Sequence, residues 1–211
     1  MKKRSVFLVI LLLASGLYAQ KIPYMTLIDG KANKYMDNTE ITIGSWKEYS
    51  YYMMHVYGEN SQEYQMTIPD AKVFKKFYKV SFIPPGVDNS KKIYNNKEVQ
   101  FMIRSYSKYP MVGVSYEQCL EYCKWRTEVH ALNQEGSKMR IEFSLPSQED
   151  YKIAEFQSRF SLRPPLSEMI TNEDGKLEGI TDNVEEFRNG AIVDYTKKPM
   201  GFRCIGIITE K

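Results

Sequence analysis

The chain has 211 residues, of which 29 are basic and 26 are acidic, so its formal net charge at pH 7 is only +3. This balance, with no basic stripe along the sequence, argues against a basic nucleic-acid-binding surface. The length suits one domain with a sizeable core, and 16 tyrosines and 10 phenylalanines supply large side chains to pack in it.

The N-terminus has the pattern of a secretory signal peptide. Basic residues Lys2–Arg4 precede the apolar run Val6–Leu13, and the small residue Ala19 offers a cleavage point. We therefore predict a signal peptide, 1–19, and a single domain, 20–211. The apolar run is short for a membrane span, and an uncleaved N-terminal anchor is the alternative.

Removal of the signal peptide changes the charge and defines the compartment. Residues 1–19 hold three basic residues and no acidic one, which leaves 26 of each in the domain. An exported domain is expected in the periplasm or outside the cell, with no membrane span after the signal peptide is removed. Disulfides persist in such oxidising compartments.

Three serines predict the starts of helices. Each lies three residues before a side chain that can bond back to the backbone, which is the capping-box pattern. The pairs are Ser45 with Glu48, Ser115 with Gln118, and Ser147 with Asp150. The predicted helices are 45–57, 115–130 and 147–158, and Gly58 is expected to end the first.

Short extended stretches precede these helices, and another lies at the C-terminal end. They are Glu40–Ile43, Met111–Val114, Ile141–Leu145 and Phe202–Ile208. Helices mixed with short strands and many turn residues indicate an α+β domain with much irregular structure.

The chain has three cysteines, and their spacing limits what they can do. Cys119 and Cys123 lie one helical turn apart, where a relaxed disulfide between them does not form. A zinc site lacks ligands, because the only histidines are His55 and His130. The simplest arrangement is one disulfide from this helix to Cys204, with one cysteine left over. A reactive thiol would depend on a setting that the sequence does not show.

Several stretches resemble, in the same order, motifs of the formylglycine-generating enzyme (sulfatase-modifying factor) family. The segment YPMVGVSYEQCLEYCKW resembles the family's PVVGVSWEDAVAYCNWL, and GFRCI resembles GFRCV. Weaker matches complete the series. In order along the chain, the stretches are Met25–Gly30, Glu40–Trp46, Tyr109–Trp125, Ser144–Tyr151, Asp182–Phe187 and Gly201–Ile205.

The resemblance implies a fold and a cysteine pairing. The fold would be a compact, irregular α+β fold related to C-type lectins, with little regular sheet. Cys123 and Cys204 occupy the positions that form a disulfide in the family. Cys119 replaces a small residue and would be a buried apolar side chain.

The places where the chain departs from the family pattern argue against catalysis. Active members carry a copper-binding cysteine pair and a serine in the segment that corresponds to Phe187–Gly201, which contains neither residue type here. Ser144 and Phe187 replace an arginine and a tryptophan of the family motifs. No catalytic residue is therefore assigned, and the chain is interpreted as leaning away from an enzyme.

The leading functional hypothesis is an exported, non-catalytic binding or structural domain with an envelope or secreted protein partner. Exported members of the family that act in gliding motility and type IX secretion are similar, although this chain lacks their lipidation cysteine. A carbohydrate- or peptide-binding lectin-like module is one alternative. A divergent sulfatase-modifying oxidase is the other.

Structural calcium is the one cofactor that the resemblance suggests. The family binds it near the turn that corresponds here to Asp182, Asn183, Val184 and Glu186. Carboxylates and backbone carbonyls are suitable calcium ligands. In the alternative, Asp182 and Asn183 cap the turn, while Glu186 accepts backbone hydrogen bonds or pairs with an arginine.

Overall fold

The computed structural model describes residues 22–85, 106–133, 139–157, 184–191 and 193–210. The signal peptide that we predict, 1–19, lies outside these ranges. The described elements, in chain order, are β1 (Met25–Asp29), β2 (Lys34–Asp37), α1 (Ile43–Tyr57), α2 (Gln62–Gln65), α3 (Ala71–Tyr78), α4 (Tyr116–Asn133), β3 (Met139–Ser144), α5 (Gln148–Gln157), β4 (Glu185–Glu186), β5 (Met200–Gly201) and β6 (Ile205–Glu210).

Within the described ranges, the main sheet has four antiparallel strands in the order β1-β2-β6-β3. The last strand in sequence, β6, is therefore central, and its Gly206 pairs with Tyr35 of β2 and with Phe143 of β3. Strands β4 and β5 form a separate short parallel pair. The mixed α+β class is confirmed, and the sheet is more regular than the resemblance implied.

Apolar side chains cover both faces of the sheet. The larger cluster joins α1 and α4 to the sheet through stacked aromatic rings, with Trp46 and Tyr122 centred 5.6 Å apart and Phe202 edge-on to both. On the other side, Tyr151 of α5 packs in a smaller cluster with Met36 of β2. Burial of these large side chains is the main apolar contribution to the free energy of folding.

Two of the three predicted helix starts are confirmed, and the first is corrected. Ser115 Oγ accepts from the Gln118 backbone N–H at 3.3 Å, and Gln118 Oε1 accepts from the Ser115 N–H at 2.8 Å. The first helix starts earlier than predicted, because Thr42 rather than Ser45 is its N-cap and accepts from the Ser45 N–H at 3.1 Å. Glu48 is left on the exposed face of α1.

The predicted extended stretches have different outcomes. Ile141–Leu145 largely coincides with β3, whereas Glu40–Ile43 forms only an isolated bridge to Pro110 and Met111–Val114 forms no strand. The predicted strand Phe202–Ile208 begins only at Ile205. Before that point the Phe202 carbonyl accepts from the Ile41 N–H, which turns this segment out of the sheet register.

Gly201 marks the closest approach between β5 and the residue before β4. A Cβ atom added at Gly201 would lie 2.6 Å from Cγ2 of Val184, a distance that buried atoms do not tolerate. A Cβ added at Gly30 would meet only Leu27, at 3.9 Å.

We predict that Gly201→Ala destabilises the fold and that Gly30→Ala does not. Overpacking next to Val184 should lower the free energy of unfolding by about 1–3 kcal/mol. The matched control should change it by less than about 0.5 kcal/mol. Urea unfolding followed by circular dichroism measures both, and equal stabilities of the two variants would contradict the close approach.

Candidate functional site: an aromatic cleft beside a buried charge network

A fully buried arginine joins three parts of the chain. Arg203 lies between β5 and β6, and its Nε donates to both carboxylate oxygens of Glu186, at 3.0 and 2.9 Å. Its Nη2 donates to Oε1 of the same carboxylate at 2.7 Å. Its Nη1 donates to the backbone carbonyls of Asp37 and Asn38, at 3.2 and 3.4 Å. This fork geometry satisfies a buried guanidinium.

Buried carboxylates keep Arg203 charged. Burial lowers its pKa, but Glu186 and Glu40 raise it by more, so the net shift is upward. Oε2 of Glu40 lies 3.7 Å from Nη2 of Arg203. The Tyr151 hydroxyl donates to Oε2 of Glu186 at 2.5 Å, and burial together with that carboxylate raises the pKa of Tyr151. The phenol is therefore neutral and acts as a donor.

Asp37 links this network to a second ion pair. Its Oδ2 accepts from Nη1 of Arg126 at 2.7 Å and from the Cys204 backbone N–H at 2.8 Å. The guanidinium of Arg126 lies 4.2 Å from the ring centroid of Phe143. Burial lowers the pKa of Arg126, but Asp37 together with Cys204 and Tyr122 raises it by more, so the net shift is upward. The charge of Arg126 is thus offset within the protein.

The three cysteines lie in the core. Sγ of Cys123 and Sγ of Cys204 are 3.1 Å apart and unbonded, whereas a disulfide requires about 2.05 Å. The contact between these residues is present, and the bond itself stays a prediction. Cys119 is fully buried, as expected, and burial raises the pKa of Cys119 and of Cys204. In the reduced protein both thiols are therefore protonated at neutral pH.

The structure places Glu186 in the alternative role, as the partner of an arginine. Its Oε1 accepts from Arg203, and its Oε2 accepts from Arg203 and from the Tyr151 hydroxyl. Val184 is buried, and Asp182 and Asn183 lie outside the described residues. Within the described ranges, no group of three or more His, Cys, Asp or Glu side chains is arranged to hold a metal ion. Calcium at this turn remains an untested prediction.

A cleft of about 370 Å³ opens between α1, α4 and the end of β2. Its volume lies within the range of small-ligand sites. Its lining combines aromatic rings with charged side chains. The aromatic members are Tyr24, Tyr122 and Trp125, and the charged members include Asp37, Glu48 and Arg126.

A second cleft, of about 440 Å³, lies between α5 and β4. Arg188 borders it, hydrogen-bonds to Gln148 and lies 4.8 Å from the ring centroid of Tyr151. Glu186 lines this cleft, and Glu40 lines the first. Arg203 contacts both carboxylates, so the buried network lies between the two clefts.

Sequence reasoning missed the aromatic cleft. Trp125 and Arg126 were within or beside the most distinctive motif, but nothing in their spacing assigned them to a cleft. Asp37 carried no sequence signal, because its partner Arg126 is 89 positions away. Glu48 was assigned to a helix cap that Thr42 provides instead.

Comparisons with protein-family models, with curated proteins and with solved structures found no match. The resemblance to the formylglycine-generating enzyme family therefore rests on the sequence motifs. Among the described residues, none of the helices combines the length and the apolar character that crossing a membrane requires.

We predict that Glu186→Gln is strongly destabilising and that Glu185→Gln, its exposed neighbour, is not. Loss of the carboxylate leaves Arg203 without its main buried counter-charge, which should lower the free energy of unfolding by about 3 kcal/mol. Glu185 pairs with Lys198 at the surface, where such pairs contribute less than about 1 kcal/mol. Chemical denaturation measures both, and equal small effects would contradict the network.

We predict a Cys123–Cys204 disulfide and a free Cys119 in protein recovered from an oxidising compartment. Closing a loop of this length should stabilise the fold by roughly 4–5 kcal/mol, less any strain. Non-reducing peptide mapping identifies the pair, and Cys119→Ala should leave the linked peptide unchanged. A Cys119–Cys204 link, or three free thiols, would contradict this assignment.

Proposed function

We propose that this chain is an exported, non-catalytic binding domain with the fold of the formylglycine-generating enzyme family, acting in a cell-envelope assembly. Calcium bound at the turn that contains Val184 and Glu186 would have a structural role. The partner of the domain would be a protein of the envelope or a secreted protein, as in the motility and secretion machineries that use similar domains.

The observation that carries the proposal is the way in which the resembling motifs meet. Arg203 of the GFRC stretch bonds to Glu186 of the NVEEF stretch, and Cys204 contacts Cys123 of the YC stretch. Tyr151, which ends the SLPSQEDY stretch, bonds to the same Glu186. Motifs that are separated along the chain are thus joined by buried contacts, as expected of a shared framework.

The burial of the cysteines supports a non-catalytic role. Cysteine catalysis and copper binding require an accessible thiolate. Cys119, Cys123 and Cys204 are 0, 2 and 0% exposed, and burial raises the pKa of Cys119 and Cys204. The sulfur atoms therefore contribute to the packing of the core and are not accessible to a substrate.

A lectin-like module that binds carbohydrate or peptide is the second candidate, and the aromatic cleft favours it. Sugar rings and peptide side chains both pack on exposed aromatic faces. Tyr24 is 62% exposed at the cleft edge, and Trp125 and Tyr122 lie deeper in it. The envelope domain and the lectin-like module are both binding proteins without catalytic activity. The divergent oxidase is the competing hypothesis, because it is an enzyme.

Export and partner capture test the proposal together. We expect tagged protein expressed in its native cell to be found in the envelope or outside the cell, with Gln20 as its N-terminal residue. Reversible cross-linking should then capture one reproducible protein partner. Leu11→Arg interrupts the apolar run of the signal peptide and should hold the protein in the cytoplasm, where the partner is not captured.

Two outcomes would contradict the proposal. One is wild-type protein that stays in the cytoplasm with residues 1–19 intact. The other is conversion of cysteine to formylglycine in a sulfatase-derived peptide by purified protein with copper and oxygen, read by mass spectrometry. The second outcome would establish the oxidase hypothesis instead.

A further inference from the structure

The aromatic wall of the cleft, Tyr122 and Trp125 of α4, is fixed by other aromatic side chains. The ring of Trp125 lies 5.0 Å from Tyr49, 5.4 Å from Tyr122 and 5.9 Å from Tyr52, measured between centroids. These contacts fix the indole on α4 and leave it partly exposed on the side of the cleft. A fixed aromatic face offers its negative π-electron density to a ligand without a large loss of conformational entropy.

The charges that line the cleft do not cancel. Asp37 and Arg126 neutralise each other, and the guanidinium of Arg126 is also stacked on Phe143. Glu40 is buried beside Arg203. Glu48 is exposed and forms no ion pair with any residue that the structure describes. The carboxylate left to face a ligand is therefore that of Glu48.

The position of Glu48 follows from the start of α1. Thr42 caps the helix, so Glu48 is not drawn back to the backbone of Ser45 as a capping-box residue would be. Ser45 and Glu48 lie one turn apart on α1, and both line the cleft. The carboxylate is thus held at the cleft by a helix rather than by a loop.

From this arrangement we infer that the cleft binds an organic cation, a guanidinium or ammonium group, which packs on Trp125 and pairs with Glu48. Aromatic faces attract cations, and a carboxylate at the edge of the cleft supplies the counter-charge. The group comes either from a basic side chain of a peptide or from a small free ammonium compound. The inference rests on the proposed role as a binding domain and names the chemistry of its ligand.

Two tryptophans give the test an internal control. Both indole Nε1 atoms are buried, but that of Trp46 donates to the Thr67 carbonyl at 2.7 Å, whereas that of Trp125 has no hydrogen-bond acceptor among the described residues. Their indole N–H signals should therefore be resolved in a ¹⁵N-correlated NMR spectrum. Only the Trp125 signal is expected to move when a ligand enters the cleft.

The probes are N-acetyl-arginine amide, choline and the neutral analogue N-acetyl-citrulline amide. We expect the arginine probe, choline, or both to shift the Trp125 signal saturably. Where the arginine probe binds, the citrulline probe should bind at least about threefold more weakly, because it lacks the positive charge. Tighter binding of arginine identifies a basic peptide side chain as the source. Tighter binding of choline identifies a small ammonium compound.

Glu48→Gln should weaken binding of the preferred cation by about threefold, and Glu63→Gln, an exposed glutamate on α2 that does not line the cleft, should not. No saturable shift with either cation, equal binding of citrulline and arginine, or an unchanged affinity in Glu48→Gln would overturn the inference. Capture of an envelope partner with no cation binding would overturn this inference alone. Cation binding by a protein that is never exported would overturn only the proposed export.

Discussion

The guanidinium of Arg203 ties together segments that are far apart in the sequence. It bonds to the side chain of Glu186 and to the carbonyls of Asp37 and Asn38. Moving a guanidinium from water into the protein interior costs several kcal/mol unless every donor finds a partner. The end of β2 and the short strand β4 must therefore occupy one relative position, because another arrangement would leave a buried charge uncompensated. Apolar packing alone tolerates small shifts more readily.

The same constraint reaches the cleft through Asp37. Its carbonyl is held by Arg203, and its carboxylate is held by Arg126 and by the Cys204 N–H. The register of α4 against β2 is thereby fixed, and Trp125 is carried into place beside Arg126. The buried network and the exposed aromatic wall are thus parts of one arrangement, even though only the wall is available to a ligand.

Local patterns in the sequence were sufficient for some elements and insufficient for others. The Ser115–Gln118 capping box and the Gly58 helix end depend on neighbouring residues and were predicted correctly. Thr42 and Ser45 are both acceptable N-cap residues for α1. Thr42 is the N-cap in the folded chain, where it also pairs with Pro110, a contact across 68 positions. Local patterning does not contain such a contact.

The site shows the same division. The motifs identified Glu186 as a candidate site residue. They left open whether its carboxylate binds calcium or an arginine, because a carboxylate near a turn can do either. The cleft could not be predicted, because it is lined by Tyr24, by the chain from the end of β2 into α1 and by α4, which meet only in the folded chain. The strand order could not be predicted from the sequence either, because strands distant in sequence are neighbours in the sheet.

The central position of β6 has a consequence for the order in which the domain can form. Strands β2 and β3 pair with β6 and not with each other. The sheet therefore cannot form between them until β6, the last described strand, has been added. The residues just before β6 also supply Arg203 and Cys204 to the core. Until β6 is available, the strands on either side of it therefore lack their pairing partner. Such non-local pairing delays folding until β6 is available. Under the proposed export, this delay would keep the chain extended while it crosses the membrane.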